Sequence, residues 1–265
     1  MNSIQQTFAA NQNADRGTLI IYVTAGDPTL DLTVDIAATL AESGADMIEL
    51  GIPYSDPLAD GPTIQAASQR ALRAGATVAG VFDCAARIRR RTEVPLVIMT
   101  CFNPILQYGL QAFAQQAAEV GIAGVLASDL PPHESDDWCA VAAEYGLSTI
   151  FLVAPTTPQN RIQRAVERTT GFVYAVSRPG VTGARDKLPQ DLTESVARIR
   201  QVTDLPIAVG FGISKPQQVA AVCRIANGAI VGSAVVDIIA RSQATDSLLG
   251  QVAEFVSSLA EATAR

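Results

Sequence analysis

Eight short runs of apolar and β-branched residues recur along this chain, and stretches with helical spacing separate them. That alternation restricts the fold more than any other feature. The runs lie at 18–23, 46–50, 95–100, 123–127, 148–153, 172–176, 206–210 and 228–231. A near-continuous apolar run such as Thr18-Leu19-Ile20-Ile21-Tyr22-Val23 suits a strand buried on both faces, as in a parallel sheet. Helical spacing fills 30–43, 63–73, 78–91, 110–120, 134–145, 159–168, 190–202, 215–222 and 245–263. Gly44, Gly121, Gly146 and Gly171 stand where helices are expected to end in a left-handed residue. Pro95 and Pro206 open their strands, where a missing N–H costs least. Residues 3–13 give one more short amphipathic helix, with Ser3 as its N-cap and Ile4 and Phe8 on the buried side.

Eight strands alternating with helices make either a (β/α)8 barrel or an open doubly wound sheet. The open sheet wants a glycine-rich phosphate loop after its first strand, and Thr24-Ala25-Gly26-Asp27-Pro28 does not match one. Glycines crowd the ends of the last two strands instead, as Gly210-Phe211-Gly212-Ile213-Ser214 and Gly232-Ser233. Barrels commonly hold phosphate there, with a short extra helix after strand 8, for which residues 233–240 are available. The expectation is an α/β TIM barrel with an extra N-terminal helix and extra helices after strands 2 and 8. With no domain boundary, repeat or low-complexity segment visible, residues 1–265 read as one domain. Two connections are long, 51–94 and 177–189, and both fall on the face where barrels carry their active sites.

The net charge of −7 and a pI near 4.7 make nucleic acid and anionic membrane poor partners. A small phosphorylated substrate stays compatible, since backbone N–H groups and helix N-termini hold phosphate locally. Arg89-Arg90-Arg91 reads as the solvated end of a helix. Cys84, Cys101, Cys139 and Cys223 are scattered without zinc spacing, and there is a single histidine, His133, so no metal site is expected. No secretory signal pattern and no membrane-length apolar run is present, which reads as a cytoplasmic location.

The chemistry is expected around Ala45 to Pro62. Met47-Ile48-Glu49-Leu50 sets one carboxylate into an apolar run, and a rigid loop with Pro53, Asp56, Pro57, Asp60, Gly61 and Pro62 follows. A Glu in apolar company is costly unless it has a partner or a task. Glu49 is either an acid–base group at the barrel mouth or a Glu neutralised by a neighbouring Arg or Tyr. Asp60 by itself reads as a loop-capping residue beside Gly61, and Asp56 as a turn residue. Val181-Thr182-Gly183-Ala184 in the sixth loop is either a lid or a plain surface loop. The only lysines are Lys187 and Lys215, neither on a strand. A Schiff-base aldolase is therefore not expected, which leaves acid–base carbon–carbon chemistry without a covalent intermediate.

Several segments in order resemble the tryptophan synthase α-subunit family from Phe8 to about Leu259. They are Tyr22-Val23-Thr24-Ala25-Gly26-Asp27-Pro28, Glu49 through Pro62, Asn103-Pro104-Ile105, Asp129-Leu130-Pro131-Pro132, Val176-Ser177-Arg178 with Gly180 through Ala184, and Gly210-Phe211-Gly212-Ile213. The resemblance implies retro-aldol cleavage of indole-3-glycerol phosphate to indole and glyceraldehyde 3-phosphate in tryptophan biosynthesis. It implies Glu49 as general acid/base and Asp60 as the acceptor of the indole N–H. Backbone around Gly183, Gly212, Gly232 and Ser233 would hold phosphate. Tyr22 and Tyr174 would line the indole pocket, Phe211 would bind substrate, and Thr182 would help a closed lid position Asp60. No cofactor is implied in this chain. Pyridoxal phosphate would sit in a partner β subunit, reached through the loop carrying Pro53 and Asp56, in an αββα tetramer. The chain departs from the family's habit at Tyr22, where Phe is common, at Thr100, where a larger apolar residue is common, at Phe102, where Tyr is common, and at Pro179 inside the sixth loop. Two other readings stay open: an activating partner of the β subunit whose own catalysis has lapsed, and another phosphate-binding barrel lyase or isomerase.

Overall fold

The structure is a computed structural model that describes residues 2–57, 60–177, 191–242 and 245–265. Eight parallel strands close into a barrel in sequence order: β1 (Thr18–Thr24), β2 (Met47–Gly51), β3 (Leu96–Thr100), β4 (Ile122–Ala127), β5 (Ser148–Val153), β6 (Val173–Val176), β7 (Ile207–Gly210) and β8 (Gly228–Val231). β8 pairs back onto β1, with Ile20 opposite Ile230. The helices are α1 (Ser3–Asn13), α2 (Leu30–Glu42), α3 (Pro62–Arg73), α4 (Val78–Arg89), α5 (Phe102–Tyr108), α6 (Leu110–Glu119), α7 (Asp136–Glu144), α8 (Gln159–Arg168), α9 (Leu192–Arg200), α10 (Pro216–Cys223), α11 (Ser233–Arg241) and α12 (Thr245–Glu261).

Alternation along each strand divides the core in two. Leu19, Ile21, Val23, Ile48, Leu50 and Ile98 join the apolar layer under the helices. Ile20, Tyr22, Met47, Val97, Met99, Ile150, Tyr174 and Ile230 fill the barrel itself. α1 stops the N-terminal end of the barrel: Ile4 and Phe8 are buried in the interior cluster, and the Phe8 ring lies 5.6 Å from that of Phe172. The extra helices expected after strands 2 and 8 are present as α3 and α11.

Two local expectations are corrected. The N-cap of α1 is Asn2, whose side chain accepts from the Gln5 N–H at 2.9 Å and donates to Ser148 and Thr170, so tertiary bonds choose it over Ser3. Gly171 does not terminate a helix in the left-handed region, as Gly44, Gly121 and Gly146 do. α8 ends at Arg168 as expected, but it is followed by Thr169 in extended backbone, whose hydroxyl donates to the Ala165 carbonyl at 2.7 Å. The sequence reading also passed over α5, whose first amide, on Phe102, donates to the Asp129 carboxylate at 2.6 Å.

Candidate active site

Glu49 sits on β2 in register with Tyr22 of β1 and Val97 of β3. It is 1% exposed, and neither carboxylate oxygen has a hydrogen-bond partner among the described residues. Among the described residues no Arg or Tyr neutralises it, and the Tyr22 hydroxyl pairs with the Thr24 hydroxyl at 3.2 Å instead. Burial, assisted by the Asp60 charge, pushes the Glu49 carboxyl up to about 8. Desolvation penalises the charged form of any acid, and among the described residues no donor offsets it here.

Asp60 faces the same space from the loop before α3. It does not cap that helix: Gly61 is the N-cap, with no side-chain cap bond. Burial raises Asp60 less, to about 6. Near neutral pH the two environments thus favour a protonated Glu49 beside an ionised Asp60, which is the separation that lets two carboxyl groups act differently.

Tyr22, Glu49, Asp60, Tyr174, Phe211, Gly212, Gly232 and Ser233 line one cavity at the C-terminal mouth of the barrel. Apolar walls with a few converging polar groups are the usual make-up of a small-molecule site. Two glycines make room for its tyrosines: a Cβ on Gly51 would stand 2.1 Å from the Tyr22 hydroxyl oxygen, and one on Gly210 2.3 Å from that of Tyr174. Phe211 packs edge-on against Tyr174 at 5.7 Å. It holds a left-handed φ of 72°, and its carbonyl accepts from the Ser177 hydroxyl. A non-glycine residue in that region costs on the order of 1–3 kcal/mol and persists only where its surroundings hold it.

At the far end of the cavity Gly232 caps α11, and its carbonyl accepts from Val235 and Val236. The earlier amides of the helix have no intrahelical acceptor, so Ser233 and its backbone open toward the cavity beside Gly212. An anion is favoured at such a terminus.

Thr182 and Gly183, with Pro179 and Lys187, lie outside the described residues. Pro53 is buried, whereas Asp56 is exposed and accepts from the Ser55 hydroxyl at 2.6 Å. Sequence reasoning missed the apolar wall made by Ile64, Met99, Ile213 and Ile230. Met99 was accessible through the period-2 pattern of β3. Ile64 was not, because nothing local tells that the first turn of α3 bends over the barrel mouth. Among the described residues no group of three or more His, Cys, Asp or Glu is arranged to hold a metal ion, and no described helix is long and apolar enough to cross a membrane.

The family model for the tryptophan synthase alpha chain matches residues 8–264. The chain belongs to that family. A tryptophan synthase alpha chain from Geobacter sulfurreducens is 47% identical over 262 residues, covering 99% of both chains. One from Gloeobacter violaceus is 48% identical, covering 98% of this chain and 94% of the other. Among solved structures, tryptophan synthase of Mycobacterium tuberculosis superposes with a TM-score of 0.92 at 37% identity, covering 99% of this chain and 98% of that one. Tryptophan synthase subunit alpha from Legionella pneumophila gives 0.92 at 38% identity, with the same coverage. The reaction of the tryptophan synthase alpha chain family is this chain's reaction: retro-aldol cleavage of indole-3-glycerol phosphate to indole and glyceraldehyde 3-phosphate in tryptophan biosynthesis. Membership also implies a β-subunit partner, to which pyridoxal phosphate belongs.

Proposed function

We propose that Glu49 is the general acid and base of this cleavage and that Asp60 stabilises the charge on the ring nitrogen. The observation that carries the reading is a buried carboxyl without a partner, held up to about 8, in one cavity with a second carboxyl held near 6. Protonated Glu49 gives its proton to C3 of the indole, leaving positive charge on the ring nitrogen. Ionised Asp60 accepts the N–H there and lowers the energy of that charged state in a site of low dielectric. The Glu49 carboxylate so formed takes the proton from the side-chain hydroxyl. As the aldehyde C=O forms, the carbon–carbon bond breaks and its electron pair returns to the ring, which restores neutral indole. Glu49 ends protonated, ready for another turnover.

Tyr22, Tyr174 and Phe211 hold the indole, and the backbone at Gly212, Gly232 and Ser233 holds phosphate, in keeping with the helix terminus at that end of the cavity. Thr182 and Gly183 complete the phosphate and lid contacts by family resemblance alone. The chain acts as one domain, residues 1–265, without a cofactor of its own, in the cytoplasm. The loop carrying Pro53 and Asp56 faces the β subunit in an αββα tetramer. Exposure of Asp56 supports this. Incubating the chain with indole-3-glycerol phosphate, alone and with a β subunit, and measuring indole tests the reading. Indole from the chain alone is expected, with more when the β subunit is added. No indole in either arm contradicts it and favours the lapsed-partner alternative, and indole only in the presence of the β subunit shows that this chain's own cleavage needs its partner.

A further inference from the structure

Asp60 hangs at the end of a loop, yet its assigned task requires fixed placement. The groups that fix it are on α3. The Gln65 carboxamide, in the first turn of α3, donates from Nε2 to the backbone carbonyl of Asp60 at 2.8 Å. The same nitrogen reaches the carbonyl of Pro57 at 3.5 Å, so one side chain ties together the two ends of the 57–60 segment. The Gln65 N–H donates to the Gly61 carbonyl at 2.9 Å, which sets the side chain directly under the loop.

A positioning group works only if its own support is rigid. α3 meets that condition at three points. Arg70 grips Asp27 through two bonds of 2.8 and 2.7 Å, and Asp27 is 3% exposed. The Thr63 hydroxyl bonds the Asp237 carboxylate of α11 at 3.2 Å. Ile64 and Ala67 are packed into the barrel interior.

We propose that Gln65 is a positioning residue for Asp60, holding its carboxylate toward the substrate through the backbone rather than touching the substrate itself. The proposal rests on the reading of Asp60 as the partner of the ring nitrogen. A displacement of about 1 Å in such a group can cost about a hundredfold in rate. Gln65→Met, which keeps the length and removes the donor, is expected to lower kcat for indole-3-glycerol phosphate cleavage ten- to a hundredfold. KM should move less than threefold, because Asp60 acts on charge that develops only in the transition state.

The deciding measurement is a double-mutant cycle on the full chain. With Asp60→Asn already in place, adding Gln65→Met should change kcat less than twofold. The same ten- to hundredfold loss in both backgrounds overturns the proposal, as does no loss in the wild-type background. Full turnover by Asp60→Asn alone overturns both the role of Asp60 and the proposal resting on it. If Gln65→Met does not fold, Gln65→Glu keeps the shape and, when ionised, lacks the donor, and the same cycle applies to it.

Discussion

Glu49 is almost wholly enclosed and Asp60 is only half-buried, so the two acids lose their protons at different pH. The form that the proposed mechanism uses, with Asp60 ionised and Glu49 protonated, exists between about 6 and about 8. The pH profile of kcat/KM should therefore be a bell with limbs near those values. Asp60→Asn should lower the plateau and remove the acidic limb. An acidic limb that survives in the variant belongs to the substrate phosphate. The same shift has a thermodynamic sign. Glu49 binds its proton more tightly in the folded chain than in the unfolded one, so folding loses stability as pH rises from the unfolded value near 4.5 to the folded value near 8. Each unit of pKa is worth about 1.4 kcal/mol. Denaturant titrations should thus show the wild type losing a few kcal/mol relative to Glu49→Gln between pH 5 and 8, with little change in the difference above that range. Parallel pH profiles for the two chains would contradict the burial account.

Among the elements, the strands were the most legible in sequence, because a barrel buries each on both faces and leaves a continuous apolar run. β1 through β8 lie within two residues of their expected bounds. α5 was hidden: it is seven residues long, carries Pro104 in its first turn, and is capped by Asp129 from another loop. A proline in a first helical turn is tolerated, but a cap supplied 27 residues away leaves no local trace. Gly210, read from sequence as part of a phosphate loop, has a second task that only packing reveals, since its missing side chain admits the Tyr174 hydroxyl. Gly210→Ala should push that ring, held between Phe172 and Phe211, into the substrate cavity. The expected result is a severalfold or greater rise in KM together with a stability loss of about 1–3 kcal/mol. Unchanged kinetics would show that the ring has room to retreat.

Across the whole molecule the two ends of the barrel have separate duties. The C-terminal mouth carries both acids and the N-terminus of α11, while α1 closes the other end with Ile4 and Phe8. Conserving packing at the closed end is a matter of stability. Phe8→Ala should cost about 3–5 kcal/mol in unfolding free energy, while kcat/KM of the folded chain stays within about threefold. A large kinetic effect would mean that the two ends are coupled. The candidate site was half legible at this scale. Glu49 could be placed near a barrel mouth from its position toward the C-terminal end of an apolar strand, with an acid–base role and a structural pair both left open. Asp60 could not, because spacing along a loop does not fix distance, and only resemblance joined it to Glu49 before the folded chain brought both onto one cavity. The central claim is that Glu49 moves the protons of the cleavage. Indole release from indole-3-glycerol phosphate by folded Glu49→Gln tests it most directly. A loss of about a hundredfold or more is expected, and turnover at the wild-type rate would contradict the account.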